Sequence, residues 1–486
     1  MQTSVLIDKK NAARGALSDI SNVFKNLRAS VLATFVVFVA YCLFRLPVEP
    51  IGNVFWAIAI ATISLAPAYL WASGHVHGLP ILPAHLATLV LTYGLPLVSG
   101  HPEIADAETE AISLASASVV LYAAIVIACW YVMLLKRIDR RGTFRVLPDS
   151  SGYHALLAVL IAGAVYNILV IGDLITLDTG LYSLVRAIEI ALTSIALFVV
   201  AVRLGGRRLN FGQKLVTAAI IGFFVVTQVA TLYLGSAIVS TIVVVVGYAI
   251  GAKRVPWKSA LIAVLVLGVL HAGKGYMREQ YWSDYGASTS ITVESLPGFV
   301  ADWLAAGLGE IGGTREIQSQ PIYERISLMH MLLLAQGKAS APGDFLGGET
   351  YALILKIFVP RFLDPDKPSV HDATNLLNLH YGLQSFQDQE STQIGWGLIA
   401  ESYANFGLAG IAGVAVVIGL FLGFVTRLTI AAPFMSIRNF IGIMILVIMV
   451  QTEFTMVILV SAALQSVVSL LLLSPFCKIQ QIRRPA

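Results

Sequence analysis

GLAGIAGVAVVIGLFLGFV, residues 407–425, runs nineteen positions without a charge. Wound as an α-helix it is roughly 28 Å long, which matches the hydrocarbon thickness of a bilayer. The preceding GWGLIAESYANF (395–406) carries one charge, Glu401, so the span reads as 396–425. Similar apolar blocks recur along the 486 residues, which are 57% hydrophobic and 12% charged. That charged fraction is about half that of a soluble protein. The pattern predicts an all-α polytopic membrane protein with about twelve transmembrane helices. The spans fall near 30–46, 51–71, 81–98 (interrupted by Pro83 and Gly94), 112–135, 153–172, 181–202, 214–233, 237–252, 259–275, 396–425, 437–452 and 456–475.

Charge placement then predicts orientation, because loops rich in Lys and Arg stay cytosolic. KRIDRRGTFR (136–145), RLGGRRLNFGQK (203–214), AKRVPWK (252–258), the Arg427–Arg438 turn, the tail KIQQIRRPA (478–486) and the N-terminal segment 1–29 all fall on one side. They hold 22 of the 32 Lys and Arg residues. The other side has the acidic loop GHPEIADAETE (100–110), very short turns and one long loop. The expected layout is a cytosolic segment 1–29, spans one to nine over 30–275, an extracytoplasmic loop 276–395, spans ten to twelve over 396–477, and a cytosolic tail 478–486. The polar N-terminus, with Lys9, Lys10, Arg14, Lys25 and Arg28, lacks the small-x-small site of a cleaved signal.

The net charge of +4 is too small to indicate nucleic acid as a partner. Three cysteines in or beside apolar segments (Cys42, Cys129, Cys477) form neither a disulfide framework nor a metal-type spacing. His75 and His77 lie in a cytosolic turn, and no HExxH, GxxxxGK[ST] or GxSxG motif occurs. Metal hydrolysis, ATP-driven transport and serine hydrolysis lose support accordingly.

Chemistry is therefore expected in the long loop. SLPGFVADWLAAGLGEI (295–311) has helical apolar spacing, with Trp303 as an interfacial anchor; YERISLMHMLLLAQ (323–336) and GGETYALILKIFVPR (347–361) read as helices dipped into the membrane or packed on the bundle. Eight cations lie on this outer side: Lys274, Arg278, Arg315, Arg325, Lys338, Lys356, Arg361 and Lys367. Lys274 and Arg278 leave span nine four residues apart, hence on one face. Arg361 closes a helix just before the stiff strip IFVPRFLDPDKPS (357–369), where Lys367 can pair with Asp364 or Asp366. One reading has these cations snorkelling to lipid phosphates; the other gathers them into an anion site, for which the guanidinium fork is well suited. Glu401, inside span ten with Asn405 on its face, is a candidate general base or a structural ion-pair partner. His330, about 140° around the helix from Arg325, is the second candidate base. Arg186 and Glu189 in span six form a self-neutralised pair or an inward extension of the anion site, and Glu453 falls in a solvated turn.

The order KGYMR, ERIS, GGETY…LILKIFVPRFLDPDKPS, GWGLIAESYANFGLAGI resembles the Wzy-type polymerases of bacterial O-antigen and exopolysaccharide repeat units. The resemblance covers residues 270–411, and its best marker is PRFLDPDKP, similar to P-R-x-x-x-P-D-K-P; Asp364 stands where the family often has an aromatic. It implies a GT-C-type, multi-spanning glycosyltransferase in the bacterial inner membrane. Such an enzyme joins undecaprenyl-pyrophosphate-linked oligosaccharides at the outer face, with no metal or other cofactor. A flippase and a chain-length regulator are the implied partners. Lys274, Arg278, Arg325, Arg361 and Lys367, with Arg186, Tyr351 and Asn405, are then expected around the pyrophosphate and glycan, and Glu401 or His330 at the acceptor hydroxyl. Tyr276, Tyr281, Trp282, Tyr351, Tyr381 and Trp396 are available to stack on sugars, although anchoring or packing accounts for most of them. An O-antigen ligase would use similar outer cations. A lipid-linked oligosaccharide flippase would instead be expected to show internal repeats and charges at mid-membrane, and this sequence has neither pattern.

Overall fold

The computed structural model describes residues 27–135, 141–175, 177, 179–206, 209–252, 254–281, 294–314, 321–338, 344–359, 364, 367–387, 393–430 and 432–483. Within them, ten helical segments are long and apolar enough to cross a membrane. The first three are α1 (Leu27–Arg45), α2 (Ile51–Ala72) and the segment Ile81–Val98, in which α3 (Ile81–Leu89) runs into a π turn and a 3-10 turn. After the four-residue α4 (Pro102–Ala105) come α5 (Thr109–Leu135), α6 (Asp149–Ile171), α7 (Thr179–Gly205), α8 (Phe211–Ala230) and α9 (Leu234–Ala252). Near the C-terminus stand α17 (Gly397–Thr429) and α19 (Met456–Leu473).

Two further elements separate this count from the expected twelve. α10 (Trp257–Ala272) qualifies only together with α11 (Lys274–Tyr281), from which it is bent by 51°. α18 (Ile437–Met449) is apolar but has 13 residues, about 20 Å of helix. The all-α polytopic architecture is as expected, with ten spans by length and eleven when the bent pair counts as one.

The helix starts follow local chemistry. Pro50, Pro80, Pro148 and Pro256 immediately precede α2, α3, α6 and α10, where proline stops a helix from extending backwards. Asn210 and Gln213 open α8 with a reciprocal capping box at 2.9 and 3.1 Å. Close helix pairs rest on glycines four apart. A Cβ on Gly251 of α9 would lie 1.9 Å from the Val202 carbonyl of α7, and one on Gly419 of α17 would lie 2.7 Å from that of Val126 on α5.

The basic segments meet at one end of the bundle. β1 (Arg141–Val146) pairs antiparallel with β2 (Lys478–Arg483), Val146 bridges Ser436, and Leu79 N–H donates to Thr429 Oγ1 at 3.0 Å. β1, the described part of the Arg427–Arg438 turn, β2 and the His75–His77 turn therefore share that end, as the charge pattern predicts.

Among the described residues the long loop builds the other end from six helices: α11, α12 (Leu296–Ile311), α13 (Ile322–Arg325), α14 (Met329–Lys338), α15 (Glu349–Ile357) and α16 (Asp372–Tyr381). The helix expected over 323–336 is two. The chain breaks at Ser327–Leu328, where Leu328 N–H donates to the Thr92 carbonyl at 2.8 Å. α14 is not a surface helix: Met329, Met331, Leu332 and Ala335 are buried in the main core against α5 and α17. Trp303 is also buried rather than interfacial, its indole N–H donating to the Leu270 carbonyl at 2.6 Å.

α17 is broken at Phe406 and Gly407, the latter at φ 61°, ψ −145°. A Cβ on Gly410 would come 2.1 Å from the Ser402 carbonyl, so the two halves fold sharply on each other. The break leaves carbonyls without helical partners inside the bundle, where orphaned backbone groups are costly. The loop before α15 supplies donors: Leu346 N–H to Ala404 O at 3.0 Å, Gly347 N–H to Asn405 O at 3.1 Å, and Gly348 N–H to Asn405 Oδ1 at 3.1 Å. This explains why GG precedes ETY at 347–351.

Candidate functional site: a cation cluster at the loop end

Lys274 and Arg278 stand one turn apart on α11, and Arg325 ends α13. α13 packs against the 3-10 turn Leu95–Val98 that closes the third span. The Arg278 guanidinium lies over the Tyr233 ring at 5.7 Å and donates to the Leu232 carbonyl at 3.4 Å. Leu232 has φ 60°, a left-handed conformation that branched residues rarely adopt. It turns the α8–α9 connection so that this carbonyl meets the guanidinium.

The three cations are close enough to act on one another. Burial, then Arg325 and Arg278, push the Lys274 ammonium down to about 7, while Glu453 opposes the shift. Lys274 opens α11, just past the 51° bend at the end of α10. Glu453 lies in the exposed α18–α19 turn against Gly395, and its carbonyl accepts from Gly397 N–H at 3.1 Å. Arg325 and Arg278 repel Lys274, Arg325 repels Arg278, and a multivalent anion beside them relieves that repulsion.

A second polar group lies beside it. Glu401, on the short half of α17, is fully buried, and its Oε2 accepts from Met456 N–H at 2.7 Å. Met456 is the first residue of α19, whose N-cap Thr455 makes no capping bond of its own. Glu401 is thus the capping carboxylate of α19, where an anion complements the helix dipole. Asn405, four residues on, donates to Thr350 Oγ1 at 2.9 Å and to the Glu401 carbonyl at 2.8 Å. Tyr351 stacks on Phe406 at 6.1 Å. Its hydroxyl is held well above the usual phenol range by burial, then by Glu401 and Tyr122. Two enclosed oxygens, Tyr351 Oη and Thr455 Oγ1, have no hydrogen-bond partner among the described residues.

His330 stacks on His101 with ring centroids 5.0 Å apart and planes at 23°, and both Nδ1 atoms are buried without a partner. Burial, then His101, push His330 down to about 4, so at neutral pH it is an uncharged proton acceptor.

The structure thus gathers Lys274, Arg278 and Arg325 in one group and Glu401, Asn405 and Tyr351 in another. Arg186 is separately engaged: it bonds Glu189 at 2.8 Å and Asn167 at 2.7 Å, the self-neutralised reading. The Lys367 ammonium closes the C-terminal end of α15, donating to the Ile357 carbonyl and to that of Val359 at 2.8 Å. Arg361, Arg315, Trp282 and Asp366 lie outside the described residues. Trp396 is buried, donating to Asn378 Oδ1 at 2.7 Å, and so is a packing residue. The sequence reading missed His101, Thr350 and Thr455, which gain their roles only through contacts distant in the chain. Among the described residues no group of three or more His, Cys, Asp or Glu side chains is placed to hold a metal ion.

No family model matches the sequence, and neither a curated protein nor a solved structure matches the chain. The functional reading therefore rests on the site and on the motif resemblance.

Proposed function

We propose that this chain is a membrane-embedded polymerase of polyprenyl-pyrophosphate-linked oligosaccharide repeat units. The observation that carries the reading is the grouping of Lys274, Arg278 and Arg325, drawn from two separate loop helices, in which Arg325 and Arg278 both act on Lys274. In the transfer step the acceptor sugar hydroxyl attacks the anomeric carbon of the growing glycan. The C–O bond to the lipid pyrophosphate breaks, and the pyrophosphate leaves with the bonding pair. The three cations stabilise the charge that develops on this leaving group, as donors fixed in place before reaction. The acceptor proton passes to a base.

Of the two candidate bases, His330 fits better than Glu401. It is neutral, and a bound pyrophosphate nearby raises its affinity for a proton. Glu401 is enclosed and already committed to α19. Tyr351 and Asn405 support the site indirectly, holding the broken half of α17 against α15. The expected setting is the outer face of a bacterial inner membrane, with the loop end extracytoplasmic and the basic end cytosolic.

Deleting the gene tests the reading. A polymerase loss leaves surface lipid carrying a single repeat unit. Loss of all surface glycan assigns the ligase activity instead, and an unchanged glycan profile removes both. One observation favours a second reading: broken membrane helices such as α17 are a device of transporters. Detergent-solubilised protein separates the two, since chain extension needs no membrane compartments and transport does.

A further inference from the structure

The two-stranded sheet at the basic end has two unlike faces. Strand alternation puts Phe144 and Val146 on one of them, and both are buried in a core shared with α6, α7 and α18. Thr143 and Arg145 take the other face, opposite Gln481 and Ile479 in the ladder, and all four are exposed. β2 follows α19 through the 3-10 turn Ser474–Phe476, so this outer face stands where the last span ends.

The Arg145 guanidinium lines a niche with Leu471, Ser474, Pro475, Cys477 and Ile479. One of its N–H groups donates to Ser474 Oγ, and its other donors make no hydrogen bond among the described residues. Arg145 also lacks a carboxylate partner: the ion pairs among the described residues are Arg45–Glu49 and Arg186–Glu189. Neither β1, β2 nor the turn between α19 and β2 contains an acid. An apolar strip leads up to this cation. Val467, Val468, Leu471 and Leu472 share one exposed face of α19 at i, i+4 spacing, and Phe476 and Ile479, 70% and 69% exposed, continue it. Leu471 and Ile479 line the niche themselves, so strip and cation meet there.

We propose that this niche binds an anionic phospholipid of the leaflet at the sheet end, with its phosphate on Arg145 and an acyl chain along the exposed strip of α19. Charge complementarity selects the head. A guanidinium without a carboxylate partner takes two phosphate oxygens through its planar fork, and Thr143 and Gln481 on the same face offer hydrogen bonds to the rest of the head. The strip selects a lipid over a soluble anion, because an acyl chain covers it and a free phosphate does not. This site lies at the opposite end of the bundle from Lys274, Arg278 and Arg325 and is independent of the transfer reaction proposed above.

Native mass spectrometry of the detergent-solubilised full chain reads the site, with phosphatidylglycerol and phosphatidylcholine of matched acyl chains as probes. The unaltered protein is expected to hold phosphatidylglycerol about fivefold more tightly, the effect of one arginine at a membrane surface. Arg145→Gln should remove that preference and leave phosphatidylcholine binding as before, which also shows that the variant is folded. Arg145→Lys, which keeps the charge and loses the fork, should hold an intermediate preference. Leu471→Gln with Leu472→Gln should weaken both lipids alike. Glycerol 3-phosphate, which has the head and no tail, should displace neither at equal concentration. A preference retained by Arg145→Gln overturns the site, and so does the absence of any preference in the unaltered protein. A preference lost in Arg325→Ala moves the anionic lipid to the loop end and overturns it as well. Displacement by glycerol 3-phosphate would leave an anion site that the strip does not serve, and the lipid assignment would fall.

Discussion

The two ends of the bundle both carry cations, and they use them differently. At the sheet end the charges are spread among separate structural contacts. Arg427 donates to the Met133 carbonyl at 2.9 Å, Arg438 lies over Phe144 at 4.8 Å, and Arg145 bonds Ser474. At the loop end Lys274, Arg278 and Arg325 face one another closely enough to lower the charge affinity of Lys274. Dispersed cations fit a topological role, keeping their end of the bundle on one side of the membrane. Crowded cations repel one another, which an anionic ligand would relieve.

The sharpest way to break this contrast is paired substitution. Lys274→Ala with Arg278→Ala should cut chain growth by about 100-fold or more, the scale of losing fixed transition-state donors. Arg427→Ala with Arg438→Ala should change it by less than about threefold, as expected of exposed or locally satisfied charges. Gel profiles of the surface glycan, at matched protein levels, check both. Equal losses at the two ends would dissolve the distinction.

Glu401 sharpens it from inside the bundle. Glu401→Ala orphans the buried Met456 N–H and should destabilise the protein by about 1–3 kcal/mol. Glu401→Gln keeps an acceptor oxygen, so it should retain most of both stability and activity. Thermal unfolding beside chain-growth rates decides the matter. A Gln variant that is stable but inactive would return Glu401 to the role of base.

The His101–His330 stack adds a pH dependence confined to the loop end. With His330 held near 4 in the folded chain and a usual value of 6.5, the unfolded chain binds more protons between those limits. Stability should therefore fall as pH drops from about 6.5 towards 4. His330→Gln should flatten part of that slope, measured as the unfolding midpoint at pH 7 against pH 5. An unchanged slope would mean that His330 is not held neutral. The smallest expected effect is that of EDTA, which should leave the rate of chain growth unaltered. A loss restored by magnesium would replace the cation cluster with a metal in the pyrophosphate role.

Much of the fold is legible in the sequence, because apolar run length and basic-loop placement are local signals. α12 (Leu296–Ile311) and α15 (Glu349–Ile357) follow from spacing in the same way. Other features depend on partners far away in the chain. Nothing near Glu401 reveals that it caps a helix starting 55 residues later. GLAGIAG (407–413) reads as an ordinary close-packing stretch, yet Gly407 breaks the span because α15 and its glycine pair supply donors to the freed carbonyls. The burial of α14 escapes notice because ten residues are too short to declare themselves a membrane element. The loop-end cations Lys274, Arg278 and Arg325 are visible as exceptions to the expected charge bias. Only the fold shows that Arg186 stands apart from them, paired with Glu189 and Asn167.

The central claim is that the loop-end cations stabilise a departing pyrophosphate. Its most direct test is chain extension by purified protein supplied with a purified lipid-pyrophosphate-linked repeat unit, comparing the unaltered chain with Arg325→Ala and Arg325→Lys. The account predicts a ladder of products from the unaltered protein, none from Arg325→Ala, and slow extension from Arg325→Lys, which keeps the charge and loses the planar fork. A full ladder from folded Arg325→Ala protein would contradict it.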